Sequence, residues 1–133
     1  MKKKLSCELK VRSYELDAYG HVNHAVFLNY YEQARVEYLE QRNISFESLW
    51  REGFVFVIVR AEVDYIKPLR NGERIVISGE IVNAGNTSIT VNQEIYRIPA
   101  RELISRGKFV AVFVDREGGQ PVPIAESFRK AFL

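Results

Sequence analysis

Cysteine is nearly absent from this chain: Cys7 is the only one in 133 residues. A single thiol builds neither a disulfide framework nor a cysteine cluster for zinc. A reducing, cytoplasmic setting is the expectation that follows, with Cys7 a packed side chain inside an alternating run. Long apolar runs are missing too, and nothing approaches the roughly 20 residues of a membrane span. The basic start, MKKK, leads into SCELKV rather than into an apolar stretch, so neither a signal peptide nor a membrane anchor is expected. Charge of one sign is not in excess. A formal net charge of +2 is too small for the clustered basic face of a nucleic-acid binder. The phosphate-cradling patterns GxGxxG and GxxxxGK do not occur, and neither does the GxSxG nucleophile elbow. No repeat, linker or low-complexity segment divides the chain. With 47% hydrophobic and 27% charged residues, it reads as one domain, 1–133, around one core.

What is present changes period along the chain. Residues 4–14 alternate imperfectly and suggest a first strand. Residues 15–23 contain Gly20 and Asn23 and read as a loop. A helical period runs from His24 to about Gln41, with Phe27, Leu28, Tyr31, Ala34, Tyr38 and Leu39 on one stripe and Glu32, Gln33, Glu37 and Glu40 opposite. Alanine and aromatic residues on that stripe imply a helix pressed closely against something curved. A short helix is expected at about 45–52, capped by Ser45 and ended by Gly53. After that the period becomes two. Strands are expected at 54–66, 74–82, 88–98 and 108–115, with turns at Pro68–Gly72, at Ala84–Asn86 and at 116–123. The tail, about 125–132, suggests a closing helical turn or two.

One strand, a long helix, a short helix and four strands make an α+β fold. Its economical form is a curved five-stranded antiparallel sheet wrapped around the helix that starts at His24. Val76, Val110, Val112 and Val114 then fall on the outer face, where a second sheet or subunit can cover them.

Only two histidines occur, His21 and His24, and both sit beside Asp17 at the mouth of the long helix. The first turn of a helix has N–H groups with no intrahelical partner, and its dipole favours negative charge. Next to a carboxylate, such a turn supplies two parts of an acyl-transfer site. The N–H groups hold a developing oxyanion, and Asp17 acts on the carbonyl as base or as nucleophile. Two histidines and an acid also suit zinc or iron. HExxH is missing, however, so no metal and no other cofactor is expected. Structurally, Asn23 is the natural N-cap, Asp17 a turn residue and His21 a loop side chain.

The stretch YELDAYGHVNHAVFLNYYEQAR, residues 14–35, resembles the signature of the hotdog-fold thioesterases, in the group of 4-hydroxybenzoyl-CoA thioesterase and its bacterial acyl-CoA thioesterase relatives. FVFVIVRAEVDYIKPLRNGERIVISGEI, residues 54–81, resembles that family's buried strand, its aromatic-x-x-Pro turn and its next strand. The resemblance implies that Asp17 is the catalytic acid and the His24 backbone N–H the oxyanion donor. Leu16, His21 and Asn23 depart from the DTDxxGVVYH form and change the pocket lining, so an aromatic substrate is not implied. Asp17, His21 and Asn23 instead resemble the pattern of plant and bacterial acyl-ACP thioesterases, with Asn23 as an orienting residue. Candidate substrate contacts are Tyr19, Gly20 and Tyr65, with Lys67, Arg70 and Arg74 suited to the phosphates of the carrier. Glu62, Asp64 and Tyr65 are candidates for reaching a partner's site. The implied partners are an acyl-CoA or acyl-ACP substrate and further copies of the chain, as a homodimer or homotetramer. The resemblance leaves two rivals: a hydratase or dehydratase of the same fold, and a module that binds acyl thioesters without cleaving them.

Overall fold

The computed structural model describes residues 4–133; Met1, Lys2 and Lys3, the start of the MKKK stretch, lie outside them. Chain order is β1 (Leu5–Lys10), a single 3-10 turn (Ser13–Glu15), α1 (His24–Gln41), α2 (Phe46–Arg51), β2 (Phe54–Tyr65), β3 (Arg74–Ala84), β4 (Ser88–Ile98), β5 (Glu102–Asp115) and α3 (Glu126–Phe132). All five strands form one antiparallel sheet in the order β1-β3-β4-β5-β2. The meander β3-β4-β5 follows from short turns, while β1 and β2 close its two edges. This is the sheet-around-helix arrangement expected, and it puts β2 at an unpaired edge. Among the described residues no helix is long and apolar enough to cross a membrane.

Alternation sets the faces. Ile75, Ile77 and Ile81 of β3, Ile89, Val91 and Ile95 of β4, and Phe109, Ala111 and Phe113 of β5 are buried toward α1. Val76, Val110, Val112 and Val114 lie on the opposite face, partly covered. Cys7 is buried as expected, and burial pushes its thiol up to about 12.

The contact between helix and sheet is unusually close at two glycines. A Cβ on Gly79 would lie 2.5 Å from the Tyr38 ring. One on Gly107 would lie 2.6 Å from the Phe109 ring and 3.1 Å from that of Tyr31. These tyrosine rings are tethered at their tips. The Tyr38 hydroxyl donates to the Ile77 carbonyl at 2.8 Å, and the Tyr31 and Ser105 hydroxyls share a hydrogen bond of 2.6 Å. Small inward residues on β5 therefore seat a large residue on α1. That seat also explains why β5 starts at Glu102 and not at 108. Ser105, Arg106 and Gly107 interrupt the apolar run, so the sequence pattern shows only its second half.

The helix stripe differs from expectation at three positions: Leu28, Tyr30 and Arg35, the last buried against the Phe109 ring. Leu28 is 42% exposed. It shares a side of α1 with Leu39, but that side meets Phe46 and Phe132 only near Leu39, across a small apolar cavity. Tyr30, absent from the expected stripe, is buried, and its hydroxyl donates to Glu15 Oε1 at 2.7 Å. Glu15 also accepts from the Arg12 backbone N–H at 2.8 Å and from the Arg12 guanidinium at 3.0 and 2.6 Å. The first strand thus ends at Lys10, and the residues up to Glu15 form a turn bound to α1.

Two predictions follow from this packing. Gly107→Ala forces the Phe109 ring to move and presses on the tethered Tyr31 ring, and overpacking of this kind costs about 1–3 kcal/mol; a lowered urea midpoint at unchanged slope is the expected readout. Glu15 supplies the second. Burial pushes its carboxyl up, but the donors from Arg12 and Tyr30 outweigh this, so it titrates below the usual 4.5. A carboxyl lowered by folding stabilises fully above its unfolded value and loses that contribution as pH falls through its folded value. The urea midpoint of the wild type should therefore fall more steeply than that of Glu15→Gln as pH drops below the usual 4.5.

Candidate active site

Asp17 lies seven residues past the end of β1, in a tight hairpin of its own. Leu16 and Val22 form an antiparallel bridge. The Asp17 N–H donates to the His21 carbonyl at 2.6 Å, and the Gly20 N–H to the Asp17 carbonyl at 3.1 Å. The loop between them is Ala18, Tyr19 and Gly20, with Gly20 in the left-handed region at φ 80. A three-residue hairpin loop requires that conformation at its last position, and glycine adopts it without a Cβ penalty. The side chain of Asp17 is held inside this turn. Its Oδ1 accepts from the N–H of Tyr19 at 2.8 Å and of His21 at 3.2 Å. Those donors, the Tyr19 N–H foremost, hold the Asp17 carboxyl below its usual range, and His21 and His24 add to the effect. Oδ2 makes no hydrogen bond among the described residues.

The start of α1 lies against this hairpin. Asn23 caps the helix, its Oδ1 accepting from the Ala25 N–H at 2.8 Å. The Asn23 N–H donates to the Glu15 carbonyl at 2.9 Å, and the Val26 N–H to the Asn23 carbonyl at 2.9 Å. Between these satisfied donors, the His24 N–H has no acceptor among the described residues. It is one of the orphan donors of a helix start, at the positive end of an 18-residue helix whose dipole favours an anion there.

Asp17, His21, Val22, His24, Phe27, Tyr65, Ile66, Lys67 and Pro68 line one open cleft of about 280 Å³. Its far wall is Tyr65 to Pro68, which leaves the end of β2. The backbone N–H groups of Ile66 and Lys67 both donate to the Ile104 carbonyl, at 2.9 and 3.1 Å. Ile104 is the extra residue of a bulge in β5, where Ile95 faces Ser105 and Tyr96 faces Leu103. Arg97 steadies the same wall, donating to the Pro68 carbonyl and to Glu73 at 3.0 Å each. Across the cleft, the Tyr65 hydroxyl donates to the His24 carbonyl at 3.1 Å. Its ring stands edge-on to His24 and Phe27, with centroids at 6.3 and 5.1 Å.

Of the residues singled out in the sequence, the fold brings Asp17, His21, His24, Tyr65 and Lys67 to this cleft. Asn23 sits behind it as the cap. Tyr19 is 86% exposed, and neither it nor Gly20 is among the lining residues. Lys67 is paired with Glu102 at 2.6 Å. Arg70 and Arg74 do not line the cleft, and Arg74 is engaged with Glu8 at 3.3 Å. Glu62 and Asp64 lie elsewhere, in a surface depression with Arg106 and Lys108. Among the described residues no group of three or more His, Cys, Asp or Glu side chains is placed to hold a metal ion. Sequence reading missed Glu15 and Tyr30. The only sign of them was an acid three residues after Arg12 and one tyrosine more than the stripe needed.

Comparison with known proteins bears on the family and the fold. The family model described as the thioesterase-like superfamily matches residues 11–132. The chloroplast acyl-acyl carrier protein thioesterase ATL3 of Arabidopsis thaliana is 36% identical over 126 residues, covering 95% of this chain and 66% of that protein. The chain spans only 58% of a second plant relative, ATL2, at 36% identity. The acyl-CoA thioester hydrolase YbgC of Escherichia coli is 31% identical over 118 residues, covering 89% of this chain and 87% of that protein. Among solved structures, Slr0204, a 1,4-dihydroxy-2-naphthoyl-CoA thioesterase from Synechocystis, superposes with a TM-score of 0.91 at 20% identity, covering 97% and 95% of the two chains. Its likeness establishes the hotdog fold. With the match to the family model running over nearly all of its length, the chain belongs to the thioesterase-like superfamily.

Proposed function

We propose that this protein is an acyl thioesterase, which splits an acyl thioester and water into a free acid and a thiol. One observation carries the reading: a carboxylate with a free oxygen and a helix-start N–H without an acceptor belong to two residues of the same cleft. In the general-base form, Asp17 takes a proton from water as the water oxygen adds to the thioester carbonyl. The oxyanion accepts the His24 N–H, assisted by the helix dipole. Collapse of the adduct breaks the carbon–sulfur bond, and the proton returns to the departing sulfur. In the nucleophilic form, Asp17 adds to the carbonyl directly and collapse of the adduct expels the thiolate; water then hydrolyses the acid anhydride, regenerating the Asp17 carboxylate, releasing the free acid and supplying the proton the thiolate takes up. Both forms need an ionised Asp17, which its lowered pKa supplies at neutral pH.

The carrier is coenzyme A or an acyl carrier protein. The plant relatives named for acyl-acyl carrier protein support the second carrier, and the bacterial ones named for acyl-CoA support the first. Lys67, at the rim, is the cation placed to meet the carrier's phosphates. The cytoplasmic setting rests on the lone, buried Cys7.

The same reading makes the protein a homodimer joined through β2. This edge strand exposes Ile58, Val59 and Tyr65, and Ile66 follows it, with Val59 the extra residue of a bulge. Tyr65 belongs both to that edge and to the cleft, so a partner strand there becomes a wall of the site. The outer valines Val76, Val110, Val112 and Val114 offer the second contact of a tetramer.

The test is thiol release from acyl-CoAs and acyl-ACPs of graded chain length. Asp17→Asn should lower kcat by about a hundredfold or more; turnover that survives the substitution would put the chemistry elsewhere. The acid limb of kcat/KM should lie below the ordinary aspartate range, because a base held low in the free enzyme loses activity only as pH falls through that low value. Val59→Lys should shift the sedimentation of the protein toward the monomer and lower turnover with it.

A further inference from the structure

Glu15 is the buried acid that the proposed chemistry does not use. It is 7% exposed, yet it accepts hydrogen bonds on both carboxylate oxygens and on its carbonyl. The partners come from three places. Arg12 lies on the turn before it. Tyr30 lies two turns into α1. The Asn23 N–H lies at the helix cap, next to the orphan N–H of His24. Asp17 follows Glu15 by two residues, and the hairpin between Leu16 and Val22 connects the two ends of this bracket. Glu15 therefore fastens the strand side of the hairpin to the helix side. Among the described residues no other buried charge touches both.

Resting on the thioesterase reading, we infer that Glu15 is a positioning residue: with Arg12 and Tyr30 it fixes the placement of the Asp17 carboxylate relative to the His24 N–H. Reaction rate depends steeply on such a placement, because a displacement of about 1 Å costs up to about a hundredfold. The groups facing Glu15 are Arg12 and Tyr30; those facing Asp17 are His21 and His24. Tyr30 remains a donor because burial, with Glu15 beside it, pushes its phenol up. Glutamine at position 15 would present an amide N–H to the Arg12 guanidinium, donor against donor, and so loosen the bracket while keeping its volume.

The experiment compares wild type, Asp17→Asn, Glu15→Gln and Tyr30→Phe by kcat, KM and carbon-13 titration of the Asp17 carboxyl. For Glu15→Gln, kcat should fall on the order of tenfold while KM changes less than about twofold, as for an interaction that acts in the transition state. The Asp17 titration should rise toward the ordinary aspartate value, since its N–H donors at Tyr19 and His21 are no longer held in register, and the acid limb of kcat/KM should rise with it. Tyr30→Phe should move both readouts the same way by less. If Glu15→Gln fails to fold, Tyr30→Phe decides alone, because Arg12 still holds Glu15 there. A variant that is merely less stable, with wild-type kcat and Asp17 titration, overturns the inference but leaves the thioesterase reading intact. Full activity in Asp17→Asn overturns both.

Discussion

Tyr31 and Tyr38 of α1 reach the sheet because Gly107 and Gly79 leave room for their rings. This close seat governs the rest of the molecule. The helix is thereby held in the hollow of a curved sheet, and rings tethered to Ser105 and to the Ile77 carbonyl prevent it from sliding. Once the axis of α1 is set, so is the position of its first turn. An orphan N–H is useful in catalysis only if its position does not drift, because preorganisation is what makes such a donor effective. The core packing and the polar site are therefore one construction, connected through the helix.

Two further supports bring Asp17 and Tyr65 to that first turn. On one side the Glu15 bracket ties the Asp17 hairpin to Tyr30 and to the Asn23 cap. On the other, the bulge at Ile104 and the cations and acids around Arg97 hold Tyr65 to Pro68 in place. The ion pairs of this second support lie half-buried at the protein surface, and pairs still open to solvent contribute about 0–1 kcal/mol each. Their contribution here is the orientation of a loop more than stability. The Glu15 bracket is different, because a buried carboxylate stripped of its donors is costly.

Much of this was legible from residue pattern alone. The alternation of β3 and β4 named the inward isoleucines, and the cap at Asn23 marked the start of α1. The resemblance at residues 14–35 pointed to Asp17 and His24, and the fold brings both to one cleft. The pattern failed where small or polar residues take inward positions. Ser105 and Gly107 hid half of β5, since a space filled by a tyrosine from another element leaves no apolar signal on its own strand. Arg35 is buried against the Phe109 ring and donates to Gln93 at 2.8 Å, which no charge pattern announces. Leu28 was placed on the buried stripe because periodicity reports a helix side and not how far along that side its cover extends.

The sequence by itself determined the local chemistry: a turn that demands Gly20, a cap at Asn23, a helix with an orphan N–H at its start, and a carboxylate seven residues before it. These depend on φ preferences and on hydrogen bonds between near neighbours, so they are written in short stretches of chain. Tertiary structure decided which cations reach the cleft, that Tyr65 closes it from an edge strand, and that Glu15 is shared among Arg12, Tyr30 and Asn23. Those outcomes depend on contacts between residues far apart in the chain. Such contacts are set by the curvature of the sheet and the seat of one helix upon it, and no single stretch encodes them.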